Sequence, residues 1–165
     1  MAFSGETIYA ASVETVAALF VDPAVVAARY EAAGDRDLEI LDCGPDGDDL
    51  VIHTRRTVEV EGLPGFATKV ITPTNTMEQV DCWDAPDASG ARQGSFTIDV
   101  KGAPVKASGT MRLEPTADGG TRHTVTGSFA VKVPLVGGRI AAWAEGPGQT
   151  RLEAEFAFHH DRLGA

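Results

Sequence analysis

Residues 131–165 read VKVPLVGGRIAAWAEGPGQTRLEAEFAFHHDRLGA. No other segment is both long enough and apolar enough on one face to be a main helix packed on everything before it. Gly146-Pro147-Gly148 stands in its middle. A proline inside a helix costs about 3 kcal/mol and a glycine about 1 relative to alanine. Together these approach the lower end of a domain's whole stability. Ile140 and Trp143 lie one turn apart, whereas Leu152, Phe156 and Leu163 fall nearly opposite them on a straight helix. Thr150-Arg151-Leu152-Glu153 has the T-x-x-E form of a capping box, so a fresh start is available there. The expectation is two helical pieces, about 137–145 and 151–162, or one helix sharply kinked at 146–149.

Three segments upstream alternate cleanly. Gly94, Phe96, Ile98 and Val100 share one face of 92–100; Val105, Ala107, Gly109, Met111 and Leu113 share one face of 105–114. In 121–133, His123, Val125, Gly127, Phe129, Val131 and Val133 oppose Arg122, Thr124, Thr126, Ser128 and Lys132. One face is wet and one covered, as in an antiparallel sheet with a single buried side. Ala117 to Gly120 is hairpin chemistry. Further strands are read at 3–10, 37–43, 49–60 and 76–83. Between the first two, Ser12 can cap a short helix at 13–20, and Asp22-Pro23 opens a second that Gly34 ends. The second helix has Val26, Tyr30 and Ala33 as its apolar face. The order is strand, two short helices, six strands, long helix. The fold class is α+β, a helix-grip in which a curved seven-stranded antiparallel sheet wraps the last helix.

The 165 residues are read as one domain, 1–165, of 17.3 kDa. At that size roughly 70% of the unfolded surface is buried, and no disulfide or metal is needed for stability. The net charge of −10 repels nucleic acid and anionic lipid unless a local basic patch exists, and no basic run exceeds Arg55-Arg56. No export signal and no membrane-spanning run are read, so a cytoplasmic location and no integral membrane association are expected. Cys43 and Cys82 are then expected as buried thiols.

The order of elements resembles the START-like superfamily, also called helix-grip or SRPBCC, over essentially the whole chain. Gly109-Thr110-Met111-Arg112-Leu113-Glu114-Pro115, Thr121 through Gly127, and Val131-Lys132-Val133-Pro134-Leu135-Val136-Gly137-Gly138 resemble an uncharacterised bacterial family within it. The resemblance implies a cavity between sheet and helix that takes lipids, polyketides or other apolar molecules. The superfamily includes binders, transfer proteins, cyclases and hydrolase-like members, and no single catalytic motif spans it.

His123, on a covered face, is either a polar handle in a cavity or a satisfied core histidine. The faces of the strand around His53 are both mixed. His159-His160 read as cations favoured by a helix C-terminus. No G-x-S-x-G elbow is present, and Gly137-Gly138 lacks the context of a phosphate loop. Phe96, Met111, His123, Phe129, Ile140 and Trp143 are the candidate ligand-binding residues, converging between sheet and helix. Gly94, Gly109 and Gly127 leave space on that face or permit curvature. The expected function is binding of a small hydrophobic molecule, with no catalytic residues, cofactor or metal assigned. One alternative is a cyclase or hydrolase-like enzyme using His123, with Arg55, Asp81 or Glu78 in the same cavity. The other is a protein-interaction module at Leu63-Pro64-Gly65-Phe66.

Overall fold

The computed structural model describes residues 2–164. Strand β1 (Ala2–Tyr9) is followed by α1 (Val13–Phe20) and α2 (Pro23–Ala32). Six strands follow: β2 (Arg36–Asp46), β3 (Asp49–Glu59), β4 (Thr74–Trp83), β5 (Arg92–Val100), β6 (Val105–Pro115) and β7 (Thr121–Val131). Helix α3 (Gly137–Leu163) closes the chain. The seven strands form one sheet in the order β1-β7-β6-β5-β4-β3-β2, every neighbouring pair antiparallel. Hairpins account for β2 through β7. The two short helices carry the chain from one edge of the sheet to the other. Their starts are capped as read: the Ser12 hydroxyl accepts from the Thr15 N–H, and the Asp22 carboxylate from that of Ala24. Gly34 takes the left-handed conformation, φ 85°, just beyond α2.

Helix α3 is one element of 27 residues with Pro147 inside it. The two-piece reading is therefore overturned: the helix runs without interruption through 146–149. Gly146 and Pro147 face solvent, so water can reach the Trp143 carbonyl that Pro147 leaves without a donor. Thr150 does not cap a new start. Its hydroxyl donates back to the Gly146 carbonyl at 3.1 Å, within the same helix.

The two apolar faces of the sequence reading are ends of one slanting stripe. Ile140, Ala144, Gly148, Leu152 and Phe156 recur every four residues, and all but the half-buried Gly148 are buried. Such a row is inclined about 26° to the helix axis. It stays on a twisted sheet, where a straight face would not. Gly148 sits where the helix comes closest: a Cβ there would lie 3.0 Å from the Phe129 ring and 3.4 Å from Phe3. The interrupting tripeptide thus sets one contact distance and leaves the helix whole.

Glycines on the inner face do not leave empty space. Gly109 and Gly127 pair directly across β6 and β7, flanked in register by Phe96 and Phe3. A Cβ on Gly127 would lie 2.5 Å from Phe3 and 2.7 Å from Phe96. The two rings fold over the glycines with centroids 6.2 Å apart. The main core holds Tyr9, Phe20, Trp83, Phe96, Met111, Leu113, Leu152 and Phe156. A second, smaller core of Ala67, Ile71, Val100, Val105 and Ile140 lies under the loops before β4 and before α3. Both cysteines are free thiols, and Cys82 is exposed. Its strand alternates, so with Asp81 and Trp83 inward Cys82 must point out.

Candidate functional site

An ionic cluster lies in the interior between α2, α3 and the sheet, beside the main apolar core. On α2, Arg29 and Tyr30 continue the buried stripe of Val25 and Val26 at helical spacing. On β3, strict alternation turns Ile52, Thr54, Arg56 and Val58 inward, and on β4 Asn75, Gln79, Asp81 and Trp83. The polar members of these rows meet in a chain of contacts that begins and ends on α3. Arg151 bonds Asp35 at 2.5 Å, and Asp35 accepts from Arg56 at 2.9 Å. Arg56 donates to Gln79 and Gln79 to Asp81, both at 2.9 Å. Arg29 lies 3.9 Å from Asp81 and 3.2 Å from Glu155, one turn beyond Arg151. The Tyr30 ring stands among these groups, with the Arg29 guanidinium 4.3 Å and the Arg56 guanidinium 4.0 Å from its centroid. The Arg29 guanidinium also donates to the Tyr30 hydroxyl. Three guanidinium groups and three carboxylates thus meet, with the side chains of Arg29, Asp35, Arg56 and Asp81 buried and the α3 members Arg151 and Glu155 reaching solvent.

Burial pushes the Asp81 carboxyl above its ordinary range, and the neighbouring Arg29 opposes that shift. For Arg29 burial acts to lower the pKa, but Glu155, Tyr30 and Asp81 together raise it, so its charge is fixed.

A void of about 10 Å³ adjoins this network, room for about one water. Ile52, Asp81, Trp83, Met111 and His123 form its floor; Phe20, Arg29 and Glu155 form its roof. His123 is 2% exposed. Its Nδ1 is 3.2 Å from the Tyr9 hydroxyl, and its Nε2 has no partner among the described residues. Burial lowers its pKa to about 4, so the ring is neutral at pH 7.

The predicted site residues separate. Met111 and His123 line the void, and Phe96 belongs to the same core. Ile140 lies in the second core. Phe129 is half-buried against Phe3, with ring centroids 5.4 Å apart. Trp143 is half-buried and belongs to neither core as described. Of the suggested partners of His123, only Asp81 faces the void. Arg55 and Glu78 pair at 2.7 Å on the outer face, with His53 and Lys101 beside them. His159 is not a helix-end cation: it is 1% exposed, 4.5 Å from the Phe20 ring, and burial lowers its pKa to about 3. His160 instead bonds Thr7 at 2.6 Å. Reading by residue type passed over Arg29, Arg56, Gln79 and Glu155. The available signal was polar side chains at positions whose neighbours in the 3.6- or 2-residue period are buried.

The sheet order and the gripped helix define a START-like fold. The same arrangement is seen in the crystal structure of TTHA0849 from Thermus thermophilus, with a TM-score of 0.66 and 17% identity over 99% of this chain and 97% of that one. A START superfamily protein from Mycobacterium smegmatis gives 0.57 and 18% over 98% of both chains. Norcoclaurine synthase from Thalictrum flavum gives 0.59 and 16% over 100% of this chain and 87% of that one. Within that fold, the chain belongs to the family described as "Protein of unknown function (DUF2505)", which it matches over residues 5–163. The uncharacterised protein Rv0481c of Mycobacterium tuberculosis is 30% identical over 100 residues, 59% of this chain and 57% of that protein. The match thus spans just over half the length of that curated relative. No helix among the described residues is long and apolar enough to cross a membrane.

Proposed function

We propose that this chain binds a small, largely apolar molecule such as a lipid or polyketide between the sheet and α3, with its polar group turned toward Arg29, Asp81, Glu155 and His123. The observation that carries this reading is the ionic network beside the void. Well-packed apolar residues are often as stable as a buried ion pair or more so. A charged cluster in the main core, next to an unpartnered imidazole nitrogen, is therefore better accounted for by recognition than by stability. Met111, His123 and the neighbouring Phe96 are the proposed contacts among the residues expected from sequence, joined by Phe20 and Trp83.

A void of about 10 Å³ admits no such molecule, so the walls must part. The seam between α2 and α3 suits that movement. It is crossed by Arg29–Glu155 and, just beyond α2, by Asp35–Arg151, whose α3 members are 31% and 41% exposed. Opening it hydrates charges rather than apolar surface. The test is a thermal-shift and native mass-spectrometry screen with fatty acids, sterols and aromatic polyketides. A bound species whose stabilising shift disappears in Met111→Phe, which adds about one water's volume beside the void, is the expected result. No bound species from any class, with the protein folded, sinks the proposal.

A second reading, a cyclase or hydrolase-like enzyme, draws on one observation: a neutral His123 and the Asp81 carboxyl share the same void. If His123→Phe raises stability and leaves turnover of every bound candidate unchanged, that reading is lost.

A further inference from the structure

Charge is unevenly distributed along this acidic chain. Segments 62–77, 100–113 and 119–144 contain no Asp or Glu, although the chain has 24. All four lysines lie in the first two segments or between β7 and α3. The fold brings those parts together. Leu63, Phe66, Val70, Ala103, Val131 and Val136, from three separate loops and strand ends, pack on the second core. The Lys132 N–H donates to the Pro104 carbonyl at 3.0 Å, and the Arg139 guanidinium stacks 4.2 Å above the Phe66 ring.

At the tip of this end stands Leu135. It is 99% exposed and has φ 72°. A leucine rarely adopts the left-handed region, which costs it about 1–2 kcal/mol. Full exposure means that no packing in the monomer offsets that cost. Pro134 beside it is also exposed. Lys132 and Arg139 flank Leu135 in the chain, and Lys69 adjoins Val70, which packs on the same core as Val136; all three bases are exposed. Lys101 and Lys106 lie on the same end but are engaged by Glu78 and Asp99. Glu61 is the acid of the loop between β3 and β4.

We infer that this end of the molecule docks on an anionic lipid bilayer, with Leu135 inserted among the acyl chains and Lys69, Lys132 and Arg139 on the headgroups. An apolar residue held out in a strained backbone, with exposed bases on the same end of a protein of net charge −10, is complementary to a surface that is negative outside and apolar beneath. The net charge repels the rest of the molecule from that surface, so docking has one orientation. This inference does not depend on an internal ligand.

The experiment is co-sedimentation with vesicles of phosphatidylcholine alone and of phosphatidylcholine mixed with phosphatidylglycerol, at low and at physiological salt. Binding is expected only to the mixed vesicles and weakens with salt. Leu135→Asn tolerates the left-handed backbone, so it keeps or raises the melting temperature while weakening binding roughly tenfold. The paired reversal Lys69→Glu with Lys132→Glu weakens it about tenfold or more. No binding to mixed vesicles, or binding that these variants leave unchanged, overturns the inference. So does a wild-type dimer that Leu135→Asn turns into a monomer, which would assign the tip to a second copy of this chain.

Discussion

Acidification should destabilise this protein well above the pH at which ordinary carboxylates are protonated, because of two buried histidines. An unfolded histidine has a pKa of about 6.5. In the folded chain burial lowers His123 to about 4 and His159 to about 3. Below pH 6.5 the unfolded state therefore takes up protons that the native state refuses. The stabilisation from each ring is complete above pH 6.5 and is lost as pH falls toward the folded value. At pH 5 the deficit is about 1.5 units for each ring, or about 2 kcal/mol, and about 4 kcal/mol for both. That is a large part of an ordinary domain's stability. Urea denaturation at pH 7.5 and pH 5 measures it. His159→Leu replaces an imidazole whose Nδ1 has no partner among the described residues, inside an aromatic cluster. It should halve the loss of stability on acidification. The fall in net negative charge over the same range acts in the opposite direction in both proteins, so the comparison cancels it. If wild type and His159→Leu lose the same stability between the two pH values, the buried neutral histidine is not the cause.

Three other measurements probe the packing. Gly146→Ala meets nothing within 4 Å and should stabilise by up to about 1 kcal/mol; Gly148→Ala must displace the Phe129 ring and should destabilise, both read as shifts in urea midpoint. Arg29→Met should cost about 3–5 kcal/mol by leaving Asp81 buried without its cation, and the double change with Asp81→Leu should recover much of it in the same assay. Gly109→Ala places a Cβ 2.1 Å from the Thr126 carbonyl oxygen across the hairpin, so loss of cooperative thermal unfolding or of soluble expression is expected.

The sequence by itself determined the order and type of the elements. Ser12, Asp22-Pro23 and Gly34 mark the two short helices, and strict alternation marks β5, β6 and β7. These signals are local: a cap, a fixed φ or a period acts within a few residues of itself. Tertiary structure decided what depends on distant parts of the chain. Local propensity set a break at Gly146-Pro147-Gly148, but packing of Gly148 on Phe3 and Phe129 keeps α3 whole. The glycines that suggested a cavity are roofed by Phe3, Trp83 and Phe96, each approaching from a neighbouring strand. His159 looked like a helix-end cation until Phe20, far away in sequence, covered it. The ionic network joins residues 29, 35, 56, 79, 81, 151 and 155, and no local period links a charge on α2 to a carboxylate on β4. Burial turns an ordinary arginine or histidine into a candidate site, and burial is a property of the assembled chain.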